Sequence, residues 1–266
     1  MIHFFLSAWL AGLRSRSIQG VLLLGVVLVG VAFLSASFSP RQPKTVALDV
    51  GLSGIRLSLV LLALFWIQEL VANEIQRRTV LFALTYPVPR AYFIVGRYLA
   101  IIALTALAAA MLGMLLWVAI LNAGGGYQQG FAIAPGIAYW SSVVGLWVDA
   151  AVVAAFALWI ASLSTVVMLP LALGLAFAFA GKSLGAVAQY LTEAAGSDAT
   201  ATQFAPIVEQ LHWILPDLSR LDWRAWPMYS VEPAPEAVLA AVVMATAYVA
   251  LMLGLAALAF GNRQFE

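Results

Sequence analysis

Residues 98–121, YLAIIALTALAAAMLGMLLWVAIL, contain no charged side chain. As a helix rising 1.5 Å per residue, this stretch reaches roughly 36 Å, enough to cross a hydrocarbon core of about 30 Å. Its neighbours repeat the pattern. No charge falls between Arg16 and Arg41, between Arg97 and Asp149, between Asp149 and Lys182, or between Glu236 and Arg263. Charged residues make up 9% of the 266 and hydrophobic ones 64%, whereas soluble domains carry roughly 25% charged residues. A water-facing surface cannot be built from so few charges.

The reading is an all-α integral membrane protein, a single domain over residues 1–266 with six transmembrane helices. The spans fall near residues 18–38, 53–73, 98–121, 137–160, 165–181 and 237–260. The second holds only twelve uncharged residues between Arg56 and Glu69, so both charges are expected to snorkel to the interfaces. In residues 2–13, Ile2, Phe5, Leu6, Trp9, Leu10 and Leu13 recur at helical spacing. That predicts an N-terminal helix, within residues 1–17, lying on the membrane face. Because Arg14 and Arg16 follow this apolar stretch instead of preceding it, it does not read as a cleavable signal peptide.

Lys and Arg in short flanks set the orientation. With both termini in the cytoplasm, the inner side holds Arg14, Arg16, Arg77, Arg78, Arg90, Arg97 and Arg263, and the outer side Arg41, Lys44, Lys182, Arg220 and Arg224. Three of those outer five sit in the long segment 182–236, and long segments translocate with little regard to charge. That segment is expected to be extracytoplasmic. It contains an apolar stretch around Val187 and Leu191, and then Trp213, Trp223, Trp226 and Tyr229, which suits short helices at the outer interface. The uncharged, Gly-rich connection 122–136 reads as an outer loop, and the short connection near Ser162 makes spans four and five a hairpin.

Several chemistries are excluded or weakly signalled. A net charge of +1 argues against nucleic acid as a partner. Without cysteine there is no disulfide or thiolate site, and His3 and His212 lie far apart. Gly181-Lys182-Ser183 imitates part of a phosphate-binding loop but lacks the first glycine and follows a membrane helix. No nucleophile or metalloprotease motif occurs, so no catalytic residue and no metal ligand is assigned. Met111 and Met114 share a helical face and read as packing. Asp149, near the middle of span four, is the one candidate for a translocation path, because an ionised carboxylate there costs at least a few kcal/mol. The alternative is a protonated Asp149 bonded to Ser141 or Ser142.

Between spans two and three, Glu74 to Arg97 combines an apolar set (Ile75, Val80, Leu81, Leu84), a polar set (Gln76, Arg77, Arg78) and a stop at Pro87 and Pro89. The expected structure is a short amphipathic cytoplasmic helix over residues 74–90, followed by a basic re-entry into span three.

Glu74, Thr79, Leu84, Thr85, Tyr86, Pro87, Arg90 and Gly96-Arg97 match, in order and spacing, the pattern of the type 2 ABC-transporter permeases, which this chain resembles over nearly its whole length. It departs at Arg78, where the family has Gly, and at Arg97, where it has Lys. The Leu84-Thr85-Tyr86-Pro87 stretch and the Pro- and aromatic-rich segment before the last span are similar to those of permeases that serve copper-centre maturation of nitrous oxide reductase. The resemblance implies a transmembrane permease subunit of an exporter in a bacterial inner membrane. It would pair with a second copy or a paralogue and with two copies of a cytoplasmic ABC ATPase. ATP and Mg would belong to that ATPase, leaving this chain without a cofactor and without enzymatic activity of its own. The ATPase-docking residues implied are Glu74, Arg77, Arg78, Thr79, Leu81, Leu84, Pro87 and Arg90. Membrane lipid and a periplasmic accessory protein complete the expected partners. The alternative in another class is a non-transporting membrane scaffold that anchors assembly factors.

Overall fold

The computed structural model describes residues 2–39, 41–77, 89–123, 133–134, 136–194 and 215–263. Among these every regular element is a helix. Helix α1 (Ile2–Arg14) is followed by α2 (Arg16–Ser37) and α3 (Pro43–Ile67), which passes through a π turn (Gln68–Ala72) into α4 (Asn73–Gln76). Then come α5 (Ala91–Asn122), α6 (Ile137–Leu163) and α7 (Leu169–Ala194). A 3-10 turn (Leu218–Leu221) and α8 (Ala225–Tyr229) lead to α9 (Pro235–Gly261). Pro43 and Pro235 open α3 and α9 at the first turn, where a missing amide donor costs nothing.

Six helices are long and apolar enough to cross a bilayer: Gln19–Ser37, Pro43–Gln76, Ala91–Asn122, Ile137–Leu163, Leu169–Val187 and Pro235–Gly261. Each overlaps one expected span. Several boundaries shift by a few residues, and two shifts have a clear physical reason. The second helix starts ten residues before the expected 53 and carries Lys44, Asp49 and Arg56, because Asp49 and Arg56 find partners on other elements. The fifth continues past residue 181 to Ala194. The apolar stretch at Val187 and Leu191 therefore prolongs a helix instead of forming a separate one.

Helix α6 is the axis of the bundle. Ala150, Val152, Val153, Ala154, Ala155, Ala157 and Leu158 are fully buried in near-continuous sequence, so neighbours surround it on all sides. Helices α2 and α9 are peripheral. Leu23 and Leu34 on one, and Leu239 and Leu258 on the other, are each about 60% exposed or more, an apolar surface suited to lipid and not to water. Helix α9 is held by the stripe Ala241, Ala245, Met252, Ala256 and Phe260, whose small members let backbones approach closely.

Helix α1 packs along α5 through Phe4, Ala8 and Gly12, between Phe93 and Leu104. A Cβ at Gly12 would strike Leu104. The face packed on α5 is thus distinct from the apolar set read from the sequence, of which Ile2, Leu6, Leu10 and Leu13 face outward from the bundle.

Consecutive long helices alternate in direction, and side-chain bonds define two ends. At one end, Arg90 Nη1 donates to the carbonyls of Gly261 (3.3 Å) and Arg263 (3.1 Å). Arg263 in turn donates to the carbonyls of Ser162 (2.9 Å) and Ser164 (3.1 Å), and Ser15 donates to Glu69. Both ends of the described chain, the start of α5 and the α6–α7 connection therefore lie together. At the opposite end lie the start of α3, the start of α6 and residues 215–229.

Candidate functional site

Two polar constructions stand out in this apolar bundle. The first is at the end that holds the termini. Arg97 Nη2 donates to both carboxylate oxygens of Glu74 at 2.7 Å, tying the end of α4 to the first turns of α5. Arg97 is 6% exposed and its guanidinium lies 5.1 Å from the Phe93 ring centroid. Phe93 stacks on Phe260 at 5.4 Å and meets Phe4 edge-on at 5.8 Å, so three helices close around the ion pair. Most of the amphipathic helix expected over residues 74–90 lies outside the described residues; Glu74 is within them. It ends the continuous helix that began at Pro43, which Arg77 terminates with ψ near 0. Arg77 is exposed, whereas Arg90 is received by this chain's own carbonyls. Arg78, Thr79, Leu81, Leu84 and Pro87 lie outside the described residues.

Just before Glu74 the helix carries the π turn Gln68–Ala72. A π turn adds one residue to a helical cycle and breaks the register of the backbone ladder, which is why it is frequent where helices work. Gln68 Nε2 reaches Met168 Sδ at 3.3 Å across the bundle, while its Oε1 is buried without a partner.

The second construction runs from the opposite end into the middle of the bundle. Arg56 Nε donates to Asp149 Oδ2 at 2.5 Å, and Arg56 Nη2 to the Ala178 carbonyl at 3.2 Å. Asp149 sits near the centre of α6, about 20 Å from either end. The expectations for both residues are corrected: Arg56 does not snorkel, and Asp149 is not bonded to Ser141 or Ser142. Ser142 lies nearly two turns away and donates to the carbonyls of Ala138 and Trp223, both at 3.0 Å. Lys182, close enough to act on Asp149 electrostatically, is paired with Asp222. Arg224 bridges Asp222 (2.8 Å), Asp49 (2.9 Å) and Ser53 (2.8 Å). Charges of alternating sign thus connect α3, α6, α7 and the stretch before α9.

That stretch is inlaid in the bundle and does not rest on its rim. Leu218 and Leu221 are 1% exposed. The Leu221 carbonyl lies so close to Gly145 that a Cβ there would collide with it, and Ser219 excludes a Cβ at Gly185 in the same way. Asp217 accepts from the Ser219 amide at 3.0 Å and caps the 3-10 turn. Burial alone would raise the Asp222 carboxyl, but the Lys182 ammonium and Arg224 guanidinium outweigh it and hold that group below the usual carboxylate range. Burial would lower Arg224, and its two carboxylate partners raise it instead. Gly181-Lys182-Ser183 is an internal turn of α7, where Gly181 meets Leu218.

A cavity of about 240 Å³ lies between α3 and α7, lined by Ser53, Arg56, Val60, Leu175 and Phe179 among others. Sequence reasoning found Asp149 and overlooked its surroundings. One readable signal was available: single charges of opposite sign, Arg56 and Asp149, each set within a long apolar stretch, are best explained by each other. No protein-family model and no curated protein matches the chain.

Proposed function

We propose that the chain is the membrane-spanning subunit of an ATP-binding-cassette exporter of the type 2 permease class, set in a bacterial inner membrane with both termini cytoplasmic. The carrying observation is the Glu74–Arg97 ion pair. These two residues bracket the family-like motif, and their pairing fastens together the helix that enters the 74–97 segment and the helix that leaves it. A partner gripping that segment would pull on α3 and α5 as one unit, and the π turn beside it offers a place where the pull can change helix register. The end carrying the segment also gathers Arg14, Arg77, Arg90 and Arg263, in keeping with a cytoplasmic face. In this reading two ATPase subunits dock there with their own ATP and Mg, α1 lies at the inner interface against α5, and a second copy of the chain completes the translocation unit.

The test is co-purification from native membranes with a cytoplasmic ABC ATPase, which this reading expects in a neighbouring reading frame. Arg77→Glu combined with Arg78→Glu, and separately Leu81→Asp, should remove the ATPase from the complex while the permease still inserts. Arg41→Glu and Arg220→Glu, at the opposite end, should leave it bound. Loss with the second pair and retention with the first would end this reading.

A further inference from the structure

We propose that the cavity between α3 and α7 is a binding site for a small amphiphile with an anionic oxygen head group, and that each molecule bound brings one proton onto Asp149. The site depends only on the bundle lying in a bilayer, so it stands independently of the ATPase reading.

The donors come first. Arg56 uses Nε on Asp149 and Nη2 on the Ala178 carbonyl, and its Nη1 has no hydrogen-bond partner among the described residues. The Ser53 hydroxyl accepts from Arg224 and keeps its own proton to donate. Both residues line the cavity. Donors left open beside a membrane interior are costly, and an oxygen-rich head group satisfies them. The remaining wall is apolar, with Val60, Leu175 and Phe179, and Phe179 and Leu57 at the rim are exposed. The volume, about 240 Å³, is below the roughly 300–1,000 Å³ of drug-sized pockets. It admits a head and a short apolar segment, with the rest of a tail lying between the helices.

The proton follows from charge balance. Arg56, Lys182 and Arg224 are matched by Asp149, Asp222 and Asp49, and Asp217 and Arg220 of the inlaid stretch pair with each other, so the charges around the cavity balance. An anion added to that balanced set leaves an excess negative charge where low polarity makes it expensive. The anion also competes with Asp149 for the Arg56 guanidinium. Asp149 is 2% exposed and its Oδ1 has no partner. A proton on Asp149, which is reached from the cavity only through its bond to Arg56, is taken from the aqueous phase past Asp222 and Lys182 and cancels the excess.

The experiment uses the full chain in lipid nanodiscs and radiolabelled decyl sulfonate, whose charge does not titrate near neutrality, with empty nanodiscs measuring simple partitioning. Binding should saturate at one molecule per chain and tighten about tenfold for each unit fall in pH, with one proton taken up in lightly buffered solution. Decanol and decyltrimethylammonium should only partition. Asp149→Asn should bind the sulfonate without pH dependence. The neutral double variant Arg56→Gln, Asp149→Asn should not bind it, and neither should Leu175→Trp, which fills the cavity and keeps the ion pair. Absence of saturable binding, binding that survives both the double variant and Leu175→Trp, or wild-type binding indifferent to pH would each overturn the proposal.

Discussion

At the scale of single residues, the energetics of this protein concentrate in charges that are largely shielded from bulk water. The Arg56–Asp149 pair has side-chain exposures of 15% and 3%, so each ion depends on the other for its solvation. Removing one partner of a buried pair costs about 3–5 kcal/mol, whereas replacing both with neutral groups of similar shape is close to neutral. Arg56→Gln alone should therefore lower the thermal midpoint of the detergent-solubilised protein severely, and adding Asp149→Asn should restore most of it. A double variant no more stable than the single one would mean that the two side chains do not interact. Asp222 supplies a pH signature at the same scale. Its folded-state carboxyl is held below the ordinary range, so its contribution is complete above the unfolded value of about 3.9 and is lost as pH falls through the depressed folded value. Stability measured against pH should be flat for this group near neutrality and decline only in strong acid, and Asp222→Asn should flatten that decline.

At the scale of elements, the stretch 217–224 is held by close approach as well as by charge. Gly145 leaves no room for a methyl group beneath the Leu221 carbonyl, and the obstacle is backbone, which cannot swing aside. Gly145→Ala should cost about 1–3 kcal/mol, typical of overpacking. It should also open residues 217–224 to limited proteolysis, whereas Gly30→Ala, where nothing lies near the added carbon, should do neither. An unchanged digestion pattern in Gly145→Ala would show that this stretch is not clamped there. The same element shows where sequence reading stops. Residues 215–229 announce themselves as aromatic and proline-rich, which suggests an interface, but nothing local reveals that Gly145 and Gly185, on two other helices, make room for them. The start of the second span is likewise hidden in the sequence, because Asp49 and Arg56 look prohibitive until Arg224 and Asp149 are placed beside them. Glu74 was legible as special and illegible as to partner, since Arg97 lies 23 residues further along the chain.

At the scale of the whole molecule, the six spans were legible because a charge-free stretch of helix has few other uses. The up-and-down order followed from the count of spans and from the Lys and Arg in their short flanks. Packing order was not legible, because all six helices are apolar around most of their circumference and periodicity distinguishes no buried face. What settles the centre is the run Val152 to Ala155, whose small and branched side chains are wholly enclosed. The proposed export function rests on which face of this bundle reaches the cytoplasm, since an ATPase can dock on residues 74–90 only from there. The chain has no cysteine, so single introduced cysteines report without background. In intact cells treated with a membrane-impermeant maleimide, Gln128→Cys, Ala205→Cys and Tyr229→Cys should label. Ser7→Cys, Arg77→Cys and Asn262→Cys should label only after the membrane is opened. Labelling of Arg77→Cys from outside, with Ala205→Cys protected, would invert the bundle and contradict the account at its root.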